Sequence, residues 1–220
     1  GDCLPDKIQY QIFADDVKVY CEIKNANDCA MLQLAADRIA HWADANGMLP
    51  SESKCVVYKS KFHEFRYNVN GVILAEPSSV RDLGVVVQPV LSFHKHVVET
   101  VSISSYLCNL ILRLFVCQRA DFYLFLYKSF VVSKLLYCST VWSPHLLCER
   151  KLLEIVQTRF LKRVARKCNI QMSEIDLPSI ESLHRTADIR MFKAMLRTGI
   201  ASDFLPNNAQ WKTFSMYIWC

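Results

Sequence analysis

Two neighbouring carboxylates are the first residues in this 220-residue chain with a chemistry of their own. Asp15 and Asp16 follow Phe13-Ala14 and lie between two short apolar runs. Like charges held in one small site repel, and a bound cation relieves the repulsion. Mg²⁺ takes carboxylate oxygens together with water and phosphate. Asp15 and Asp16 are therefore candidate catalytic residues and metal ligands. Asp is equally an ordinary turn residue, so the dipeptide alone has two readings. A second group is cationic: Arg159, Lys162, Arg163, Arg166 and Lys167 crowd into one stretch of helical pattern. They are candidates for contacts to nucleic-acid phosphates, tolerant of sequence and weakened by salt. A solvated helical face is the alternative.

The elements that must position these groups differ between the two halves. Ile8, Tyr10 and Ile12 recur at period two, and Val17 to Tyr20 resumes a strand pattern after the acids. That predicts a β-hairpin with the acids at its tip. Asn27 is a candidate cap for a helix from Asp28, with Met31, Leu34, Ala35, Ile39 and Trp42 on its apolar face and Asn46-Gly47 as its stop. Lys54–Lys59 reads as a strand. Asn70-Gly71 reads as a tight hairpin turn, and Val80–Val87 as one strand closed by Pro89. Beyond this the pattern turns helical. A helix capped by Ser92 runs to about Gln118, and one capped by Asp121 runs to about Trp142. A third spans Leu147 to Lys167, with Leu152, Leu153, Val156, Phe160 and Val164 as its stripe. The last runs from Ile180 to Thr198 and stops at Gly199, with Leu183, Ala187, Met191 and Met195 as its buried edge. Phe122, Tyr123, Phe125, Tyr127 and Phe130 suit either stacking on bases or a helical core.

Charge follows the same division. Residues 1–100 carry a net −3 and residues 101–220 a net +8, within a total of +5. A basic second half points to a polyanionic partner. With 52% apolar and 21% charged residues, disorder is excluded as the state of the whole chain. The ten cysteines are scattered, with no Cys-x-x-Cys pair, and several lie inside apolar runs. That favours reduced thiols over a disulfide framework, and the histidines lack the spacing of a zinc finger. Asn109, Arg113, Lys128 and Lys134 interrupt the apolar stretches, so no membrane partner is expected. The first residues lack the pattern of a secretory leader, and the expected location is intracellular, in cytoplasm or nucleus.

From Phe13-Ala14-Asp15-Asp16 onward the chain resembles the reverse transcriptase of non-LTR (LINE-type) retrotransposons. The tetrapeptide is similar to that family's [FY]-A-D-D motif, and Lys18 and Tyr20 match its usual continuation. Trp42, Asn46-Gly47-Met48 and Lys54-Cys55 resemble the W…N-G-L…K-C segment. Arg81-Asp82-Leu83-Gly84-Val85 with Leu91-Ser92-Phe93 and His96 resembles the D-L-G-V…L-S-F…H stretch. Leu136 to Pro144 (LYCSTVWSP) is similar to the L-E-Y-c-s-x-V-W-S-P signature. Ile155–Lys162 and Asp188–Lys193 match two later helices. The ordered series covers nearly the whole chain and is more specific than the tetrapeptide.

The resemblance implies an α+β chain: a partial antiparallel palm sheet with a helix over residues 1–89, then a mostly α-helical thumb and extension over 90–220. It implies RNA-directed DNA polymerase activity in the intact enzyme, with two Mg²⁺ ions, deoxynucleoside triphosphates, an RNA template and a DNA primer. The family's fingers and its first catalytic Asp lie before the tetrapeptide, and only 12 residues precede Phe13 here. An incomplete metal cage, and a fragment inactive by itself, are therefore expected. Ser51, Gln88, Tyr137, His184 and Thr186 depart from the family pattern. Two alternatives stand beside this reading: a non-catalytic nucleic-acid-binding helical module, and a retroelement remnant without function.

Overall fold

The computed structural model describes residues 4, 5, 7–48, 51, 54–59, 64–88, 91–200 and 216–219. Its strands are β1 (Gln9–Phe13), β2 (Asp16–Cys21), β3 (Val56–Lys59), β4 (Asn68–Val69), β5 (Val72–Ile73), β6 (Val80–Asp82), β7 (Val85–Val87) and β8 (Met216–Trp219). Its α-helices are α1 (Ala26–Ala45), α2 (His94–Leu114), α3 (Ala120–Leu126), α4 (Ser133–Leu136), α5 (Ser139–Trp142), α6 (Leu147–Cys168) and α7 (Ile180–Thr198). The architecture mixes helices with small antiparallel sheets. Two compact units result: Gly1–Arg81 with Val87–Ser92 and Gln210–Cys220, and Asp82–Val86 with Phe93–Ala209.

In the first unit, β1 and β2 form the expected hairpin, with Phe13 opposite Asp16 as the last pair. The sheet order is β1-β2-β8-β3. Helix α1 packs on β2, and Val19, Cys21, Leu32, Ala36, Val57 and Tyr67 belong to one buried cluster. Asn25, not Asn27, caps α1: its side chain accepts the Asp28 N–H at 3.2 Å, and the Asp28 carboxylate accepts the Asn25 N–H at 3.1 Å. The buried face of α1 is also turned from the expected one. Ala35 is buried and Ile39 packs against the core as expected, and Cys29, Leu32, Ala36, Ala40 and Ala43 join them, while Leu34 and Trp42 are exposed. Small side chains let the helix axis approach the sheet closely, and that choice of face leaves the larger apolar groups outside. Gln33 fixes α1 to β4 through both ends of its amide, giving to Asn68 O at 2.8 Å and accepting from Asn68 N–H at 3.0 Å. The β4–β5 turn is the Asn70-Gly71 pair, both at positive φ as such a turn requires.

Val80–Val87 is not one strand. β6 and β7 pair with each other about Leu83-Gly84, which stand at φ 44 and φ 87. The expected closing residue, Pro89, lies outside the described residues.

In the second unit α2 packs along α6. Its N-cap is Phe93, without a side-chain cap, and it ends at Leu114, short of Gln118. It is long and apolar enough, by length and composition, to cross a bilayer. Here its inner side buries His96, Thr100 and Ser104. The next expected helix is one winding from α3 through a π-helical segment, Tyr127–Val132, into α4. It breaks at Cys138, which sits at φ 51, before the short α5. Asp121 is in the first turn rather than at the cap, which is Arg119.

The Leu136–Pro144 signature surrounds a buried tryptophan. Trp142 is 1% exposed and donates its Nε1–H to Tyr137 O at 2.7 Å. The rings of His96 and His184 lie near it, with centroids at 4.9 and 5.3 Å, each tilted toward a T-shaped arrangement. His96 accepts the Val86 N–H through Nδ1 at 3.2 Å, so its proton is on Nε2, facing Thr100. Helix α6 buries the expected stripe apart from Leu152, and adds Gln157, Leu161 and Ala165. Helix α7 buries Ile180 and His184, and Met191 is half-exposed where a buried edge was expected.

Candidate functional site

The two acids occupy the end of the β1–β2 hairpin. With Phe13 and Asp16 paired, Ala14 and Asp15 form a two-residue turn, and Ala14 takes φ 53. Asp15 is exposed; Asp16 is half-buried and begins β2. Alternation along β2 sets Asp16, Lys18 and Tyr20 on the face opposite Val19 and Cys21. Those two are in the core, so Asp16 shares the sheet face that α1 does not cover. Phe13, opposite Asp16, is 63% exposed. The hairpin thus presents two adjacent carboxylates on a short, hydrogen-bonded support open to solvent.

Their donor set suits a hard cation, since both groups offer anionic oxygens. It does not close a cage. Among the described residues no three His, Cys, Asp or Glu side chains are grouped to hold a metal. The strands beside β2 are β1, reading Gln-Tyr-Gln-Ile-Phe, and β8, reading Met-Tyr-Ile-Trp, and neither carries an acid.

The five cationic candidates on α6 do not behave alike. Lys167 is taken up inside its own unit: Nζ donates to Leu112 O and Phe115 O, both at 2.7 Å, and lies 5.2 Å from the Tyr123 ring centroid. It closes the C-terminal end of α2, where the last carbonyls have no helical partner. Arg163 donates to the Asn109 amide oxygen on α2. Arg159, Lys162 and Arg166 are exposed and make no hydrogen bond or ion pair among the described residues. Lys151 is also exposed and makes no hydrogen bond or ion pair among the described residues. At 100° per residue, Lys151, Arg159, Lys162 and Arg166 fall within about 80° of arc. They form one row some 22 Å long by helical rise, with no acid in it. Arg150 is excluded from the row, since it donates to Pro144 O at 2.9 Å and to Glu181 at 3.0 Å. The signal that separates the two kinds of cation is periodicity against α2: positions 163 and 167 turn toward that helix.

The aromatic group divides as well. Tyr123 and Tyr127 are fully buried, and Tyr127 stacks on Phe160 with centroids 4.7 Å apart. Phe122 is half-buried, edge-on to Phe115. Phe125 and Phe130 are exposed at 66% and 57%. Only these last two have a face available for stacking.

No protein-family model matches the chain. No solved structure matches it. An uncharacterized protein of Caenorhabditis elegans is 31% identical over 122 residues, which are 55% of this chain and 61% of that protein. The chain therefore spans about three-fifths of that relative's length.

Proposed function

We propose that this chain is part of a non-LTR-type reverse transcriptase: palm remainder followed by thumb, with Asp15 and Asp16 as two of the carboxylates for nucleotidyl transfer. The observation that carries the reading is the hairpin itself. Asp15 lies in the two-residue turn and Asp16 begins the strand after it, on the sheet face that α1 does not cover. In the intact enzyme bound Mg²⁺ would supply activation of the primer hydroxyl and neutralisation of the triphosphate. Asp15 and Asp16 would be part of its ligand set. The family's first catalytic Asp and fingers lie before the tetrapeptide, so the reading carries the expectation that the chain alone does not extend a primer. The row Lys151, Arg159, Lys162 and Arg166 would contact template–primer phosphates without reading sequence.

The free cationic row also favours a second reading, a non-catalytic module that only binds nucleic acid. Two measurements on the full chain separate the cases. The first is binding to a short RNA·DNA hybrid across roughly 50 to 200 mM salt. Four phosphate contacts predict a log–log slope of about −3 to −4. A flat dependence removes both readings. The second is primer extension on an RNA template with Mg²⁺, beside Asp15→Ala. The expected result is no extension by the isolated chain. Asp15-dependent incorporation would overturn its inactivity and remove the binding-only reading.

A further inference from the structure

Helices α5, α6 and α7 meet around a cavity of about 220 Å³. Its floor is apolar: Pro144, Leu153 and Ile180 line it and are buried. Ser143, His184, Arg185 and Asp188 line it as well. The volume lies below the roughly 300–1,000 Å³ of a drug-sized pocket, so the ligand it takes is small.

Ser143 and His184 are joined in this wall. The His184 Nε2–H is given to Leu135 O at 3.0 Å, which leaves Nδ1 as the acceptor, 3.2 Å from the Ser143 hydroxyl. Trp142 stands edge-on to the ring, with centroids 5.3 Å apart. The imidazole is thus held in one tautomer and one orientation. A hydroxyl facing a base that a third group orients is the arrangement of an activated nucleophile. His184 is buried, and burial holds its pKa below the usual value, so the ring is the neutral base near neutral pH. The charges of Asp188 and Glu154 favour the imidazolium once a proton arrives. Arg185 is exposed and makes no hydrogen bond or ion pair among the described residues, so its guanidinium is available to a developing oxyanion.

We propose that Ser143 and His184 are a nucleophile–base pair, and that this cavity hydrolyses small uncharged carboxylic esters. Ser143 Oγ bonds to the acyl carbon as its proton passes to His184 Nδ1. The bond from that carbon to the alcohol oxygen breaks, and Nδ1 returns the proton to the departing alcohol. Water then attacks the acyl carbon and gives a proton to Nδ1. The carboxylic acid leaves, and Oγ takes that proton back. His184 departs from the retrotransposon pattern, so the inference does not rest on the polymerase reading.

The test uses the full chain. A short-chain alkyl fluorophosphonate bonds its phosphorus to an activated serine oxygen and expels fluoride. Peptide mass mapping should find the adduct on Ser143, formed at least about tenfold faster than on any other serine and lost in urea. No adduct on Ser143, or equal labelling in urea, overturns the inference. This readout needs no variant to fold. The second probe is p-nitrophenyl butyrate. The unaltered chain should release nitrophenol over many turnovers. Ser143→Ala and prior labelling should each return the release to the buffer rate. Turnover that survives either change, or no turnover by the unaltered chain, overturns the inference equally. Failure of hybrid binding or primer extension would leave both results untouched.

Discussion

His184 donates its Nε2–H to Leu135 O at 3.0 Å, and its Nδ1 stands 3.2 Å from the Ser143 hydroxyl. A carbonyl only accepts, so the ring proton is on Nε2 and Nδ1 accepts from Ser143. The ring is buried, with Trp142 edge-on beside it. Burial lowers the His184 pKa below the usual 6.5; the Leu135 bond and the charges of Asp188 and Glu154 oppose this but are smaller. The unfolded chain therefore takes up the proton first as pH falls. Stability from the neutral ring is complete above about pH 6.5 and declines below it, until the folded-state value is reached. Denaturant unfolding of the second unit between pH 8 and 5.5 should show this loss. His184→Phe should cost about 1–3 kcal/mol at pH 8 by orphaning Leu135 O. It should also flatten the acid limb; an unchanged limb would assign the proton uptake to another group.

Gly84 stands at φ 87 in the tight turn between β6 and β7, and Tyr137 donates its hydroxyl to the adjacent Leu83 O at 2.8 Å. A Cβ at position 84 would lie 3.2 Å from Tyr137 Cε1. Gly84→Ala thus meets two penalties, a left-handed backbone and a crowded ring. The expected loss is about 1–2 kcal/mol from the backbone alone. Tyr137→Phe should weaken the same turn by about 1 kcal/mol through its lost hydrogen bond. Thermal unfolding of the two single variants and the double variant checks the coupling. Additive losses would show that the ring and the turn act independently.

Local signals were enough for the hairpin and the helices α6 and α7. Period-two apolar residues around the acids, the Asn-Gly pair, and the Gly199 stop of α7 each have a cause within a few residues. Features set by distant packing were not legible. The inward face of α1 carries Ala36 and Ala40 rather than Leu34 and Trp42, a choice that side-chain size alone argues against. Val80–Val87 reads as one β-rich run because Leu83 gives no sign of its left-handed backbone. The position of β8 depends on partners about 160 and 200 residues earlier, and no periodicity carries that information. Of the candidate site, the acids were placed by their local turn. The cations could not be sorted until α2 showed which side of α6 is covered.

Lys167 and Lys162 should separate packing from binding on one helix. Lys167→Gln removes a charged donor from Leu112 O and Phe115 O, and should cost about 1–3 kcal/mol of stability. It should leave the salt slope of hybrid binding unchanged. Lys162 is exposed and makes no hydrogen bond or ion pair among the described residues, so Lys162→Gln should stay within about 0.5 kcal/mol in stability. The same substitution should reduce the salt slope by about 0.9. Measuring both properties on both variants is decisive, because an interchange of the two patterns would remove the outward row as the nucleic-acid face.

Tyr67 and Tyr123 are both buried, and the same substitution should affect them in opposite ways. Among the described residues the Tyr67 hydroxyl has no nitrogen or oxygen partner, and the weakly bonding Cys29 thiol lies beside it. The Tyr123 hydroxyl donates to Phe115 O at 2.7 Å and accepts the Cys117 N–H at 3.1 Å. A buried hydroxyl without a good partner bears its desolvation cost in full, so Tyr67→Phe should be neutral or slightly stabilising. Tyr123→Phe strands the Cys117 N–H and leaves Phe115 O to Lys167 alone, and should cost about 1–3 kcal/mol. Guanidinium unfolding curves of the two variants give both values. A loss above about 1 kcal/mol for Tyr67→Phe would mean that the Cys29 thiol, or water, satisfies that hydroxyl in solution.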